Sequence, residues 1–222
     1  MKFPLRNIMF RLTLAALMAG GTAAAASAQE GHTPMQTGVF GRFRFSCEWG
    51  YVQSVYRDYH YNILSEEGYR INESYYGVDM HPNGLLLAGG GFVPPGELLM
   101  VSLHAGYAGI HEDNRVIPAL LRMSFFPKKT GRDGMFYYAQ AGAGFHMPKT
   151  LKTRVSLLSG IGAGYRFALT ERCSIDLIIT AMAALSRPPI PNPDGPGYVA
   201  EQNIRSNSAT YGALSLTIAV SI

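Results

Sequence analysis

Charge is what this sequence holds least of. Lys, Arg, Asp and Glu make up 15% of its 222 residues, against about 25% in an ordinary soluble domain. That scarcity argues against a large soluble α/β enzyme. Long apolar runs are missing too. Beyond residue 28 there is no stretch of 18 or more apolar residues, which argues against a helical membrane protein. Helical periodicity does not persist in any long window. No stripe of Lys and Arg interleaved with aromatics exists, so a nucleic-acid partner is not expected. A G-x-S-x-G nucleophile elbow is absent, and no Cys/His spacing matches a metal-ligand motif.

What is present is apolar, small and aromatic. Hydrophobic residues are 47%, aromatics 11%, and there are 25 glycines. Residues 1–28 account for part of this. Lys2, Arg6 and Arg11 precede the uncharged "LTLAALMAGGTAAAA", and Ala26-Ser27-Ala28 closes the stretch. A basic start, a short apolar run and an A-x-A exit predict a cleaved export signal. No Cys at that exit supports a lipoprotein anchor. Removing 1–28 lowers the formal charge from +4 to +1, because it takes three basic groups and no acid. The basic balance therefore belongs largely to the leader. Residues 29–40 read as a short N-terminal segment and 41–222 as one β domain.

In that domain the dominant period is two. Eight segments alternate, over about 41–56, 76–92, 97–110, 115–126, 135–147, 153–168, 172–186 and 208–222. Most exceed the usual 5–6 residues of a soluble strand and are long enough for a tilted strand to cross a bilayer. Compact polar turns separate them, such as "VPPGE" and "PKKTGRDG". Two connections are long: 57–75, and 187–207 with its five prolines. The "HPNG" at 81–84 interrupts the second segment, so the 57–93 region is also consistent with ten strands.

One face of each segment is large and apolar. Phe43, Phe45, Cys47, Trp49 and Tyr51 oppose Arg44, Ser46, Glu48 and Gly50. A soluble sandwich buries its large face, whereas a membrane barrel shows it to lipid. Aromatic position favours the barrel. Tyr51, Tyr107 and Phe145 fall near one end of their strands, and Phe43, Phe125, Tyr137, Tyr165 and Phe167 near the other. Two such girdles suit the two interfaces of a bilayer. Only antiparallel strands closed into a ring satisfy every backbone group in lipid. The expected fold is therefore all-β, an eight-stranded antiparallel up-and-down transmembrane β-barrel. Its last segment, Leu214 to Ile222, reads as the stave that closes against the first.

Three stretches carry a family resemblance: "RVIPALLRMSFFP" (115–127), "GMFYYAQAGAGF" (134–145) and "IGAGYRFALTERCSIDLIITA" (161–181). On these the chain resembles the small outer-membrane β-barrel proteins of the OmpA/OmpX-like group. It is especially similar to the outer-membrane β-barrel domain common in Bacteroidetes. The resemblance implies a Gram-negative outer membrane, with outer-membrane lipid, lipopolysaccharide and the barrel assembly machinery as partners. It implies no ligand and no reaction. Members of that group often end in Phe, whereas this chain ends in Ile222.

The candidate site residues follow from the barrel. Arg44, Glu48, His104, Arg122, His146, Arg166 and Asp176 point into the lumen, where charges must be paired. They read as a structural polar plug; a narrow gated pore for small or apolar molecules is the alternative. A lipid-modifying enzyme is the third reading. Barrel lipid A deacylases use a His-x-Ser pair, and none of His60, His81, His104, His111 or His146 has Ser two residues on. His111-Glu112-Asp113 reads as a solvated acidic turn. No catalytic residue, cofactor or metal is expected. Cys47 and Cys173 fall two strands apart, too far for a disulfide. Loop 57–75 carries Tyr59, Tyr61 and Tyr69, loop 187–207 carries Tyr198, and closure sets the two side by side. Tyr-rich, Pro-stiffened surfaces suit binding, with an external ligand that the residues do not name.

Overall fold

A computed structural model describes residues 43–147, 154–170 and 173–222. The leader at 1–28 and the segment 29–40 lie outside the described residues. The strands are β1 (Phe43–Leu64), β2 (Arg70–Val78), β3 (Pro82–Phe92), β4 (Leu99–His111), β5 (Asn114–Phe125), β6 (Gly134–His146), β7 (Val155–Ala168), β8 (Ser174–Ser186) and β9 (Ile204–Ser221). Each pairs antiparallel with its neighbour, and β9 returns to pair with β1, from Ser46↔Ser221 to Ile63↔Ile204. The ring closes through β1 and β3 to β9, and among the described strands β2 alone keeps a free edge, above the closed part.

Nine strands make eight staves, because β2 and β3 share one. β3 pairs with the first half of β1, from Phe43↔Phe92 to Gln53↔Pro82. β2 pairs with its second half, from Tyr56↔Val78 to Leu64↔Arg70. Asp79, Met80 and His81 fall between them, outside the ladder. Pro82 offers no backbone donor, which suits only the first position of a strand. Ser54 stitches the gap to β1. Its N–H donates to the His81 carbonyl at 3.0 Å, and its hydroxyl bonds the Asp79 carbonyl. Eight staves resolve the choice between eight and ten.

The sequence reads 57–75 as an external loop. The structure instead continues β1 to Leu64 and turns it back as β2. This hairpin stands beyond the short turn after His111 and makes the rim one-sided. β2 is largely exposed and the facing half of β1 mostly half-buried, so the alternation that marks the other strands is lost there. Likewise β9 begins at Ile204, earlier than the expected 208.

On the staves, parity separates two environments. Leu103 is 67% exposed, Ile179 57% and Leu216 55%. Among the described residues, no charge stands on the outward face between the two aromatic girdles; Arg115 is the first, at the outer end. The inward face holds two apolar layers. One lies toward the rim and includes Val52, Leu87, Ile110, Val116, Leu158 and Tyr211. The other lies toward the opposite end, with Met100, Phe126, Phe136, Tyr138 and Ile178. Glycines let the rings fill that narrow end. A Cβ on Gly162 would sit 2.5 Å from the Tyr138 ring, and one on Gly164 would sit 2.5 Å from Phe136.

Candidate functional site

Ionisable side chains gather in two groups, one inside the barrel and one at its rim. Inside, Arg122 reaches Glu48 at 2.8 Å and donates from Nε to Gln140 at 3.0 Å. Its guanidinium lies 4.3 Å from the Tyr138 ring centre. The Thr217 hydroxyl donates to the other Glu48 oxygen at 2.8 Å. Arg166 forms a two-pronged pair with Asp176, at 2.7 and 2.6 Å, and donates a third bond to the Thr130 carbonyl at 2.8 Å. Phe126 covers it, 4.5 Å from the guanidinium carbon. Fork-to-carboxylate pairs of this kind are the strongest and most directional ion pairs available.

Glu48, His104, Arg122, Arg166 and Asp176 surround a cavity of only about 20 Å³, roughly the space of one water. His104 pairs with Ser102 at 2.9 Å rather than with a charge. Arg44 is half-buried near the inner end and is not among the residues lining that cavity. His146 lies elsewhere, at the outer end, hydrogen-bonded to Ser156. Cys47 and Cys173 are both free.

At the rim, a cleft of about 760 Å³ opens between the β1–β2 hairpin and the Pro-rich connection. Tyr59, Tyr61 and Tyr75 form one wall, Pro188, Pro191 and Tyr198 the other, with His146 between. Tyr69 is not in the cleft. Its hydroxyl, the Ser65 hydroxyl and the Glu66 N–H all donate to Asp194 of the connection, at 2.8, 2.6 and 2.8 Å. The tip of the hairpin is thereby tied to the Pro-rich segment. Hydrogen bonds from Ser65 and Tyr69 hold the Asp194 carboxyl below its usual range.

Beside the cleft, at the interruption of the second stave, lies a cluster that spans three elements. His81 Nε2 is 2.8 Å from Asp79 Oδ1, and His111 Nε2 is 3.0 Å from Asp79 Oδ2. Arg57 lies 3.6 Å from Asp79 and 3.4 Å from Asp113. Burial works to raise the Asp79 carboxyl, but the hydrogen bonds and charges of His111 and His81 prevail and hold it low. His111 corrects the sequence reading: the turn is not simply solvated, because this ring is 2% exposed and packs 4.9 Å from Tyr211.

Asp79, His81 and Asp194 are residues that sequence reasoning did not single out. A signal for His81 was present. Once 82–92 and 99–111 are set as a hairpin, Leu85 faces Ala108, and counting four residues further sets His81 against Glu112. No such count reaches Asp194, which lies in an irregular connection.

No family model matches the chain, and no curated protein matches it. Among solved structures it is similar to the crystal structure of Neisserial surface protein A, at 10% sequence identity and a TM-score of 0.43. That match covers 80% of this chain and 96% of the other. A likeness so distant carries no argument about partner or activity, and the barrel rests on its own closed ladder.

Proposed function

We propose that this chain is an integral outer-membrane β-barrel protein of a Gram-negative cell, exported through a cleaved leader. The barrel is a non-enzymatic anchor, and its one-sided rim binds at the cell surface. The observation that carries this reading is the outward face. A belt of Leu, Ile, Val and aromatic side chains lies exposed and uncharged around a closed ring, with polar pairs inside. Exposed apolar patches beyond a few hundred Å² are not tolerated by soluble monomers, while lipid requires such a belt. Outer-membrane lipid, lipopolysaccharide and the assembly machinery are then its partners.

The paired charges and the small residual cavity favour a closed lumen over a pore. The expected behaviour is a mobility shift on boiling, extraction only with detergent, and cleavage at 65–69 or 187–207 by protease added to intact cells. Partition into buffer without detergent would sink the membrane reading. Steady single-channel conductance in planar bilayers would sink the closed lumen. An altered lipid A mass profile on expression would replace the anchor with an enzyme.

A further inference from the structure

We propose that Asp79, His81 and His111 bind one divalent transition-metal cation of the zinc type at the interruption of the second stave. The proposal goes beyond the anchor reading and does not depend on it. One donor atom from each residue lies within 4.8 Å of the others. Two imidazoles and a carboxylate are a donor set that suits zinc and its neighbours and that suits calcium or magnesium poorly. Zinc bonds of about 2.0–2.1 Å in a tetrahedron hold donors roughly 3.3 Å apart. The observed 2.8 and 3.0 Å run to the two different oxygens of Asp79, so one ion takes the carboxylate through both oxygens or draws the rings in from separations of up to 4.8 Å.

The far side of each ring supplies the second observation. A histidine that binds through Nε2 carries its proton on Nδ1, and metal-bound histidines hold that proton against a carboxylate or carbonyl. His81 Nδ1 lies 4.0 Å from Glu112 Oε2, and His111 Nδ1 lies 3.9 Å from Asp113 Oδ2. Both rings therefore have a carboxylate in front and a second one behind, about 4 Å away, which must close by about an ångström to accept the Nδ1 proton. Without metal, the Asp113 N–H donates to His111 Nδ1 at 3.1 Å, so the His111 proton is on Nε2, facing Asp79. Binding moves that proton to Nδ1 of the same ring and leaves the ring neutral. The Asp113 N–H bond is given up, and the Asp113 side chain takes its place.

Access and fixation are divided among the three. The His111 side chain is 2% exposed, that of Asp79 17% and that of His81 39%. His111 is thus a fixed floor, and the ion enters past His81. Arg57, 3.6 Å from Asp79, opposes the cation and can turn wholly to Asp113.

Zinc titrated by calorimetry into the full chain, refolded in detergent and free of any histidine tag, is expected to bind one ion per chain. His81→Ala removes an accessible ligand without opening the interior. It should keep the heat-shifted gel mobility and weaken binding at least about tenfold. Arg57→Gln should tighten binding, because it removes the competing cation. The assignment is overturned if the unaltered chain binds no single ion, or if His81→Ala binds as tightly as the parent. An unchanged or weaker affinity in Arg57→Gln would overturn Asp79 as a ligand.

Discussion

The lumen and the rim use the same side chains to opposite ends. In the lumen two pairs are dedicated: Arg122 has Glu48, and Arg166 has Asp176 in a two-pronged pair. Aromatic faces cover both guanidinium groups. At the rim, Asp79 is shared by His81, His111 and Arg57, and Arg57 is itself divided between Asp79 and Asp113. A dedicated pair in a dry site has no second arrangement to adopt. A shared carboxylate at a partly open site does. The first is the pattern of a fixed plug, and the second is that of a place where something can bind.

The comparison is tested most severely by removing one carboxylate from each region. Asp176→Ala leaves the Arg166 charge buried, with 1% of its side chain exposed and no anion to face. The expected loss is about 3–5 kcal/mol, read from urea unfolding of the refolded barrel in lipid vesicles. Replacing both members by Met and Leu should recover most of that loss, since the pair itself adds little beyond a packed apolar filling. Asp79→Ala at the rim should cost less, about 1–2 kcal/mol, because Arg57 keeps Asp113 while the buried His111 Nε2–H loses its acceptor. Equal losses in the two variants would erase the distinction.

Packing offers a second, smaller test of the same contrast. A methyl group on Gly162 would lie 2.5 Å from the Tyr138 ring, whereas one on Gly84, near the rim, would meet nothing closer than the Gly50 carbonyl at 3.9 Å. Gly162→Ala should therefore destabilise by about 1–3 kcal/mol. Gly84→Ala should stay within about 0.5 kcal/mol. Unfolding midpoints of the two variants at matched denaturant slopes would show whether the interior is as tightly filled near Tyr138 as its distances imply.

What the sequence made legible follows the same division. Where one face of a strand meets apolar surroundings and the other meets polar partners, period two is written plainly. Phe43 to Tyr51, Leu99 to Tyr107 and Leu214 to Val220 could be assigned to a face by reading alternate residues. Where both faces share one environment, the pattern fades. Leu85, Leu86 and Leu87 are all apolar, because Leu85 and Leu87 join the inner apolar layer while Leu86 is outward. The strand halves above the belt, Tyr56–Leu64 and Arg70–Val78, have polar residues on both sides, and most of them, residues 57–75, read as loop. The lumen charges were legible one by one from parity alone. Their pairing needed the ladder, since Glu48 and Arg122 stand on staves that are not neighbours. The rim cluster needed more: the register of β3 on β4, and an interruption at 79–81 that swings Asp79 off the ladder.

The smallest effect concerns the tie between the hairpin tip and the Pro-rich connection, and there the chemistry fixes the sign. Asp194 accepts from Ser65, Tyr69 and the Glu66 N–H, and hydrogen bonding to the charged form lowers its carboxyl pKa below the ordinary 3.8. A lowered carboxyl pKa means that the stabilisation is present in full above the unfolded value and is lost as pH falls through the lowered one. Hydrogen-exchange protection of the Glu66 amide, corrected for its intrinsic rate, should therefore be flat from neutral pH down to about 4. It should fall only below that. In Asp194→Ala the protection should be absent at every pH, while the barrel amides of β6 and β7 keep theirs. Protection already lost near pH 6 would assign the tie to a histidine instead of to Asp194. Protection that survives Asp194→Ala would mean that the hairpin turn holds itself, through the Ser65–Tyr69 backbone bond at 2.8 Å, and that the Pro-rich segment rests on it without fixing it.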